Sequence, residues 1–206
     1  MKKFLAVLAA AALTVGATMG LASCGKTDDL VVYTESGFAP FEYVDGGKIV
    51  GVDVDIMQKV ADKLGKKLKF EDVKFDTIVD AVKDGKLTNV GAAGLSITDA
   101  RKEKVDFSVP YYTAELYVIY KAANETTYVS ATTDGKQGVY WDAFAGKKVG
   151  VQNGTTADLF LSDEIELDEG VLNGQNATKT GYDTYATALE DMKVGNIDVM
   201  IMDEIP

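Results

Sequence analysis

Residues 30–94 read LVVYTESGFAPFEYVDGGKIVGVDVDIMQKVADKLGKKLKFEDVKFDTIVDAVKDGKLTNVGAAG, and the order of patterns in this stretch decides the fold class. Residues 30–34 are a short β-rich run broken by Gly37 and Pro40, which predicts a strand opening into a loop. After Asp53, the apolar Ile56, Met57, Val60, Ala61 and Leu64 recur at helical spacing, and Gly65 stands where a helix-ending glycine belongs. Residues 68–73 read as a second strand and 77–83 as a helix turning Ile78, Ala81 and Val82 inward; residues 89–93 read as a third strand of small residues. This βαβαβ alternation predicts an α/β fold, an open and largely parallel sheet with helices on its faces.

Further along, residues 111–120 form another β-rich run, and residues 121–138 lose the apolar period in favour of Thr, Ser, Asn, Asp and Gly. The pattern then restarts, with a strand at 148–152 and a short helix at 156–161. A longer helix carries Tyr185, Ala188, Leu189 and Met192 on one face, and a buried strand follows at 197–202. Phe75-Asp-Thr77 and Tyr182-Asp-Thr184 each open a helix that is followed by a glycine and a strand, a weak internal repeat. Two related lobes are the simplest account, the first over residues 30–121 and the second over 122–206. The sequence stops at Pro206 directly after a buried strand, so the C-terminal return segment is expected to be missing and the second lobe incomplete.

Residues 1–23 begin with Lys2-Lys3, continue through an apolar stretch from Phe4 and end in small residues, the layout of a cleaved signal peptide. Leu21-Ala-Ser-Cys24 resembles a bacterial lipobox, which makes Cys24 the expected lipid anchor and residues 24–29 a polar tether to the membrane surface. Over its 206 residues the chain carries 32 acidic and 21 basic side chains, no His and one Cys. No His-dependent triad, His metal site, internal disulfide or cysteine zinc cluster is possible with that inventory. A net charge of −11 also makes nucleic acid an improbable partner. No cofactor or metal is called for: Asp53 and Asp55 read as an N-cap and a first-turn acid, and residues 163–169 as a solvated acidic face.

In open α/β sheets, ligands sit beyond the carboxyl ends of the strands. Three segments lie there: residues 94–101, residues 154–156 and Asp203. Arg101 offers a planar fork for a carboxylate, free N–H groups at a helix start near Thr156 favour an anion, and Asp203 attracts an ammonium. A carboxylate holder in one lobe and an ammonium holder in the other fit an α-amino acid between them. Each residue also has a bland reading: Thr98 and Thr155 as N-caps, Arg101 as a surface residue, Asp203 as a strand-end turn, and Trp141 as packing.

Seven motifs in order carry a resemblance: Phe38-Ala-Pro-Phe-Glu42, Gly51-Val-Asp-Val-Asp-Ile56, Phe75-Asp76, Gly94-Leu-Ser-Ile-Thr-Asp-Ala-Arg101, Val105-Asp-Phe-Ser-Val-Pro-Tyr-Tyr112, residues 146–155 and residues 195–203. Together they resemble the family 3 extracellular solute-binding proteins, amino-acid receptors of ABC importers. The resemblance implies a two-lobed, type II periplasmic-binding-protein-like clamp. It implies that Arg101 holds the ligand carboxylate with backbone help at Ser96 and Thr156, and that Asp203 holds the ammonium with the Gly94 carbonyl and the Ser96 hydroxyl. Phe38 and Phe75 match aromatics that sandwich the ligand side chain, and Glu35 matches an acid that reaches its polar end, which tilts the choice toward lysine, arginine, histidine or glutamine. Two departures stand out: residues 86–90 are one residue longer than usual, and residues 123–141 are longer and more polar.

The leading expectation is therefore a monomeric, lipid-anchored extracytoplasmic receptor that captures a polar amino acid and delivers it to an ABC permease. An enzyme on the same scaffold, similar to cyclohexadienyl dehydratase, needs a poised carboxyl, for which Glu35 is the obvious candidate. A sensory ectodomain is the third reading. The retained pair of Arg101 and Asp203 favours plain binding over either.

Overall fold

The computed structural model describes residues 29–131 and 137–204. The expected signal peptide, the Cys24 anchor and most of the tether lie outside the described residues. In the first part of the chain β1 (Asp29–Thr34) is followed by a small antiparallel meander of β2 (Gly37–Phe38), β3 (Glu42–Asp45) and β4 (Lys48–Val50). Then come α1 (Val52–Leu64), β5 (Lys67–Asp72), a 3-10 turn at Phe75–Thr77 running into α2 (Ile78–Asp84), and the single turn α3 (Asp99–Lys102). The meander replaces the plain loop expected after the first strand.

β1 pairs in parallel with β5, Leu30 opposite Leu68. On its other side Tyr33 donates to the Val90 carbonyl at 3.0 Å and accepts from Ala92 N–H at 2.9 Å, a single bridge in place of the predicted third strand. Gly91 stands at this bridge because α2 lies against it: a Cβ there would come within 2.7 Å of the Ile78 side chain. Val31, Val32, Met57, Ala61, Ile78 and Ala93 form the buried interior of this part.

Residues 105–115 run without regular structure into β6 (Leu116–Tyr120). The chain continues through a 3-10 turn, α4 (Glu125–Tyr128), the hairpin β7 (Val129–Ala131) and β8 (Gln137–Val139), and a 3-10 turn at Trp141–Phe144. β9 (Lys148–Gln152), α5 (Thr156–Glu166), β10 (Thr178–Tyr182), α6 (Tyr185–Val194) and β11 (Val199–Asp203) complete it. The second sheet has the order β10-β9-β11-β6, with β6 the one antiparallel member. β6 pairs with β11 from Leu116 to Tyr120, so this strand, which falls within the residues 30–121 expected for the first lobe, is hydrogen-bonded into the second sheet. Long-range pairing rather than local pattern sets the sheet to which this β-rich run belongs.

Both faces of this sheet are covered, which is why β11 is apolar at nearly every position. One face packs Val149, Val151, Val199 and Ile201 on Leu161, Tyr128 and Phe144, with Trp141 edge-on to Phe144 at 5.7 Å. The other packs Met200 and Met202 on Tyr185, Ala188 and Met192 of α6.

Candidate functional site

All eight residues singled out from the sequence, Glu35, Phe38, Phe75, Gly94, Ser96, Arg101, Thr156 and Asp203, line one crevice where the two sheets' strand ends face each other. Their placement follows from the local fold. Thr98 caps α3 by accepting from Arg101 N–H at 3.2 Å, which fixes the helical turn that throws the Arg101 side chain inward. Thr155 caps α5 in the same way by accepting from Asp158 N–H, and its hydroxyl donates to the Gln152 carbonyl at 2.8 Å. Asp203 is the last residue of β11, and Glu35 follows β1 directly.

Arg101 is 8% exposed. Its guanidinium donates to the Ser96 carbonyl at 2.7 Å and, across the crevice, to the Gly154 carbonyl at 2.8 Å. Its Cζ also lies 5.7 Å from the Phe75 ring centroid, within cation–π range. These contacts engage two of the five N–H donors of the fork, so donors remain for an anion. Burial lowers its pKa from the ordinary value and the Asp203 charge opposes that, but a guanidinium stays cationic at any working pH.

Asp203 is raised above the usual carboxylate value by burial, with the Tyr185 hydroxyl at 3.4 Å and the Arg101 charge pulling it back. Glu35 is 8% exposed and is likewise raised by burial, offset by the Gln152 amide that donates to it at 3.2 Å. Phe38 stacks on Phe41 at 5.5 Å and faces Tyr185 at 6.2 Å across the crevice. Gly94 has φ +55°, and a Cβ there would press on the Phe38 ring at 3.0 Å.

Beside Thr155, expected as an N-cap, the same crevice holds residues that sequence reasoning does not assign to the site: Glu42, Gln152 and Tyr185. Gln152, by its pattern only the end of a strand, is 2% exposed and bridges Glu35 and the Asp183 carbonyl. Asp53, read as an N-cap, is corrected. Gly51 takes the cap position, the Pro40 and Phe41 carbonyls accept the first helical N–H groups at 3.0 Å each, and the Asp53 carboxylate turns inward to Gly94 and Tyr111. A larger, mainly apolar hollow of about 390 Å³ adjoins the crevice between α1, α2 and residues 105–112. It offers few polar groups, so the chemistry belongs to the smaller crevice. Among the described residues no His, Cys, Asp and Glu grouping fit for a metal ion occurs.

What the crevice presents is one guanidinium, two buried acids and a third partly buried one, and three aromatic rings, a setting for a small zwitterion rather than for a polyanion or a metal. Residues 30–196 match the family model of the bacterial extracellular solute-binding proteins, family 3. The arginine-binding extracellular protein ArtP of Bacillus subtilis is 32% identical over 163 residues, covering 75% of this chain and 57% of that protein. The L-cystine-binding protein TcyJ of Escherichia coli K12 is 30% identical over 177 residues, covering 85% and 59%. This chain thus spans under three fifths of the length of both relatives. An ancestral arginine-binding protein solved bound to arginine superposes with a TM-score of 0.70 at 31% identity, covering 85% of this chain and 70% of that one. The α/β architecture of parallel strands and flanking helices is shared with it, and these named relatives are binding proteins, not enzymes.

Proposed function

Because the chain belongs to the bacterial extracellular solute-binding proteins, family 3, whose place is outside the cytoplasm, we propose that it captures a polar L-amino acid between its two lobes and presents it to an ABC permease. The observation that carries this reading is the meeting of Arg101 and Asp203 in one crevice formed by both sheets. Arg101 takes the α-carboxylate with its remaining donors, assisted by backbone N–H at Thr156. Asp203 and the Gly94 carbonyl take the ammonium, with the Ser96 hydroxyl beside them. Phe38 and Phe75 flank the side chain, and Glu35 answers its polar end. The acidic excess of the crevice and the arginine-binding relatives support a cationic side chain, with glutamine next.

Capture works as a population shift. A ligand that touches residues of both lobes binds the closed arrangement better than an open one, so it draws the equilibrium toward closure. On this reading the chain acts as a monomer, tethered to the membrane by lipid on Cys24.

The test is a thermal-shift panel of the twenty L-amino acids on the protein lacking residues 1–23. A ligand at a hundredfold excess over its dissociation constant adds about 2.7 kcal/mol, several degrees in midpoint. Arginine or a close relative is expected to give that shift. Arg101→Ala should remove it, since charge-assisted hydrogen bonds contribute about 1.5–3 kcal/mol each and the bound carboxylate would be left unpaired. A normal shift in Arg101→Ala overturns the site; no shift with any amino acid overturns the receptor reading.

A further inference from the structure

Glu42 is fully enclosed, and neither of its carboxyl oxygens meets a hydrogen-bond donor among the described residues. An ionised carboxylate so placed is without compensation, a state that folded proteins avoid. Asp53 is 1% exposed and its carboxylate is already engaged: Oδ2 accepts from Gly94 N–H at 3.1 Å and Oδ1 from the Tyr111 hydroxyl at 2.8 Å. Two carboxylate oxygens offer about four lone-pair sites, so Asp53 has capacity for one more donor. A proton on Glu42 supplies that donor and gives the orphaned carboxyl its missing partner.

We propose that Glu42 and Asp53 are a buried carboxyl pair sharing one proton, and that this pair positions residues 94–96 at the floor of the crevice. Like charges at close quarters in a dry site do not both ionise, and the proton belongs to the pair. The groups facing Glu42 bear this out. Asp53 on α1 and Glu35 after β1 both push its proton affinity up, burial does so most, and the result is a carboxyl pushed up to about 10. Tyr111 acts on it through Asp53. Arg101 on α3, Asp203 on β11 and Tyr185 on α6 line the same crevice, and the single cation among them is held by the Ser96 and Gly154 carbonyls.

The functional consequence runs through Gly94. Its N–H is fixed by Asp53, its left-handed turn lies against Phe38, and a Cβ added there would stand 4.0 Å from a Glu42 carboxyl oxygen. Fixing that N–H fixes the start of the segment 94–96, whose far end offers the Ser96 carbonyl that accepts from Arg101. Glu42 is thus a positioning residue for ligand capture; this role rests on the amino-acid-binding reading, whereas the shared proton does not.

Two measurements on the purified protein test this. Infrared spectra at about pH 8, where ordinary carboxylates are ionised, should contain the carbonyl stretch of a protonated carboxylic acid, and that band should be lost in Glu42→Gln. Absence of the band in the unsubstituted protein overturns the pair. Titration with arginine should then show that Glu42→Met, which fits the space without a donor, weakens binding about tenfold, the loss of one buried hydrogen bond, and that Glu42→Gln, which carries an N–H donor, restores it. Unchanged affinity in Glu42→Met overturns the positioning role. If the unsubstituted protein binds no amino acid, the receptor reading and the positioning role fall together, and the infrared band still decides the pair.

Discussion

The three acids of the crevice, Glu35, Glu42 and Asp203, are all raised, and burial is the leading cause in each. A group that holds its proton more tightly when folded makes the folded state bind more protons than the unfolded one, so stability falls as pH rises between its unfolded and folded values. For Glu42 that interval runs from 4.5 to about 10. Without ligand, the thermal midpoint followed by circular dichroism is expected to decline from mildly acidic to mildly alkaline pH, and Glu42→Gln should flatten the decline. Asp80, lowered by its bond to Lys104, acts with the opposite sign but only below its ordinary value of 3.8, outside this interval. A midpoint that climbs through neutrality would contradict the assignment of these acids.

Among the elements, the start of α1 decides how the first lobe meets the crevice. Gly51 has φ 133° and ψ −175°, a region open in practice only to glycine, and a Cβ there would fall 2.2 Å from the Phe41 carbonyl oxygen. Gly51→Ala should therefore cost at least about 1–3 kcal/mol from the backbone alone, read as a lower urea midpoint at unchanged slope. Equal stability would mean that the helix start can move aside. This position also marks a limit of sequence reading. Asp53 carries the side chain of an N-cap, and nothing local reveals that the carbonyls of Phe41 and Pro40, far upstream, fill that role. Elements whose pattern is local were legible: α1 and α6 from their apolar faces and glycine stops, β9 and β11 from their buried runs, and the Thr155 cap from its residue type. Elements made by distant pairing were not. The meander of β2 to β4 has strands of two to four residues, and β6 joins β11, a partner far along the chain with Leu116 opposite Asp203 and Tyr120 opposite Val199. The crevice divides along the same line. Six of its eight predicted members, Phe38, Phe75, Gly94, Ser96, Arg101 and Asp203, lie inside the ordered motifs; Glu42 and Gln152 lie inside them too, but with Tyr185 they matter through partners that only the fold supplies.

At the scale of the molecule, the polar ties across the crevice among the described residues are few: Arg101 to Gly154, Gln152 to Glu35, and the exposed ion pair of Lys74 with Asp183 at 2.8 Å. Each lobe has its own interior, and contacts this sparse resemble those between separate domains more than those within a core. The chain contains one tryptophan, and Trp141 lies in the second lobe against Phe144, away from the crevice. Its emission is thus a private gauge of half the molecule. During chemical denaturation the fluorescence transition should separate from that of far-ultraviolet circular dichroism, which averages both halves. Coincident transitions would mean that the lobes melt as one. Amino-acid capture, for the same reason, should pass almost unseen in the colour of that light, so an unchanged spectrum on adding arginine is no sign that the crevice is empty.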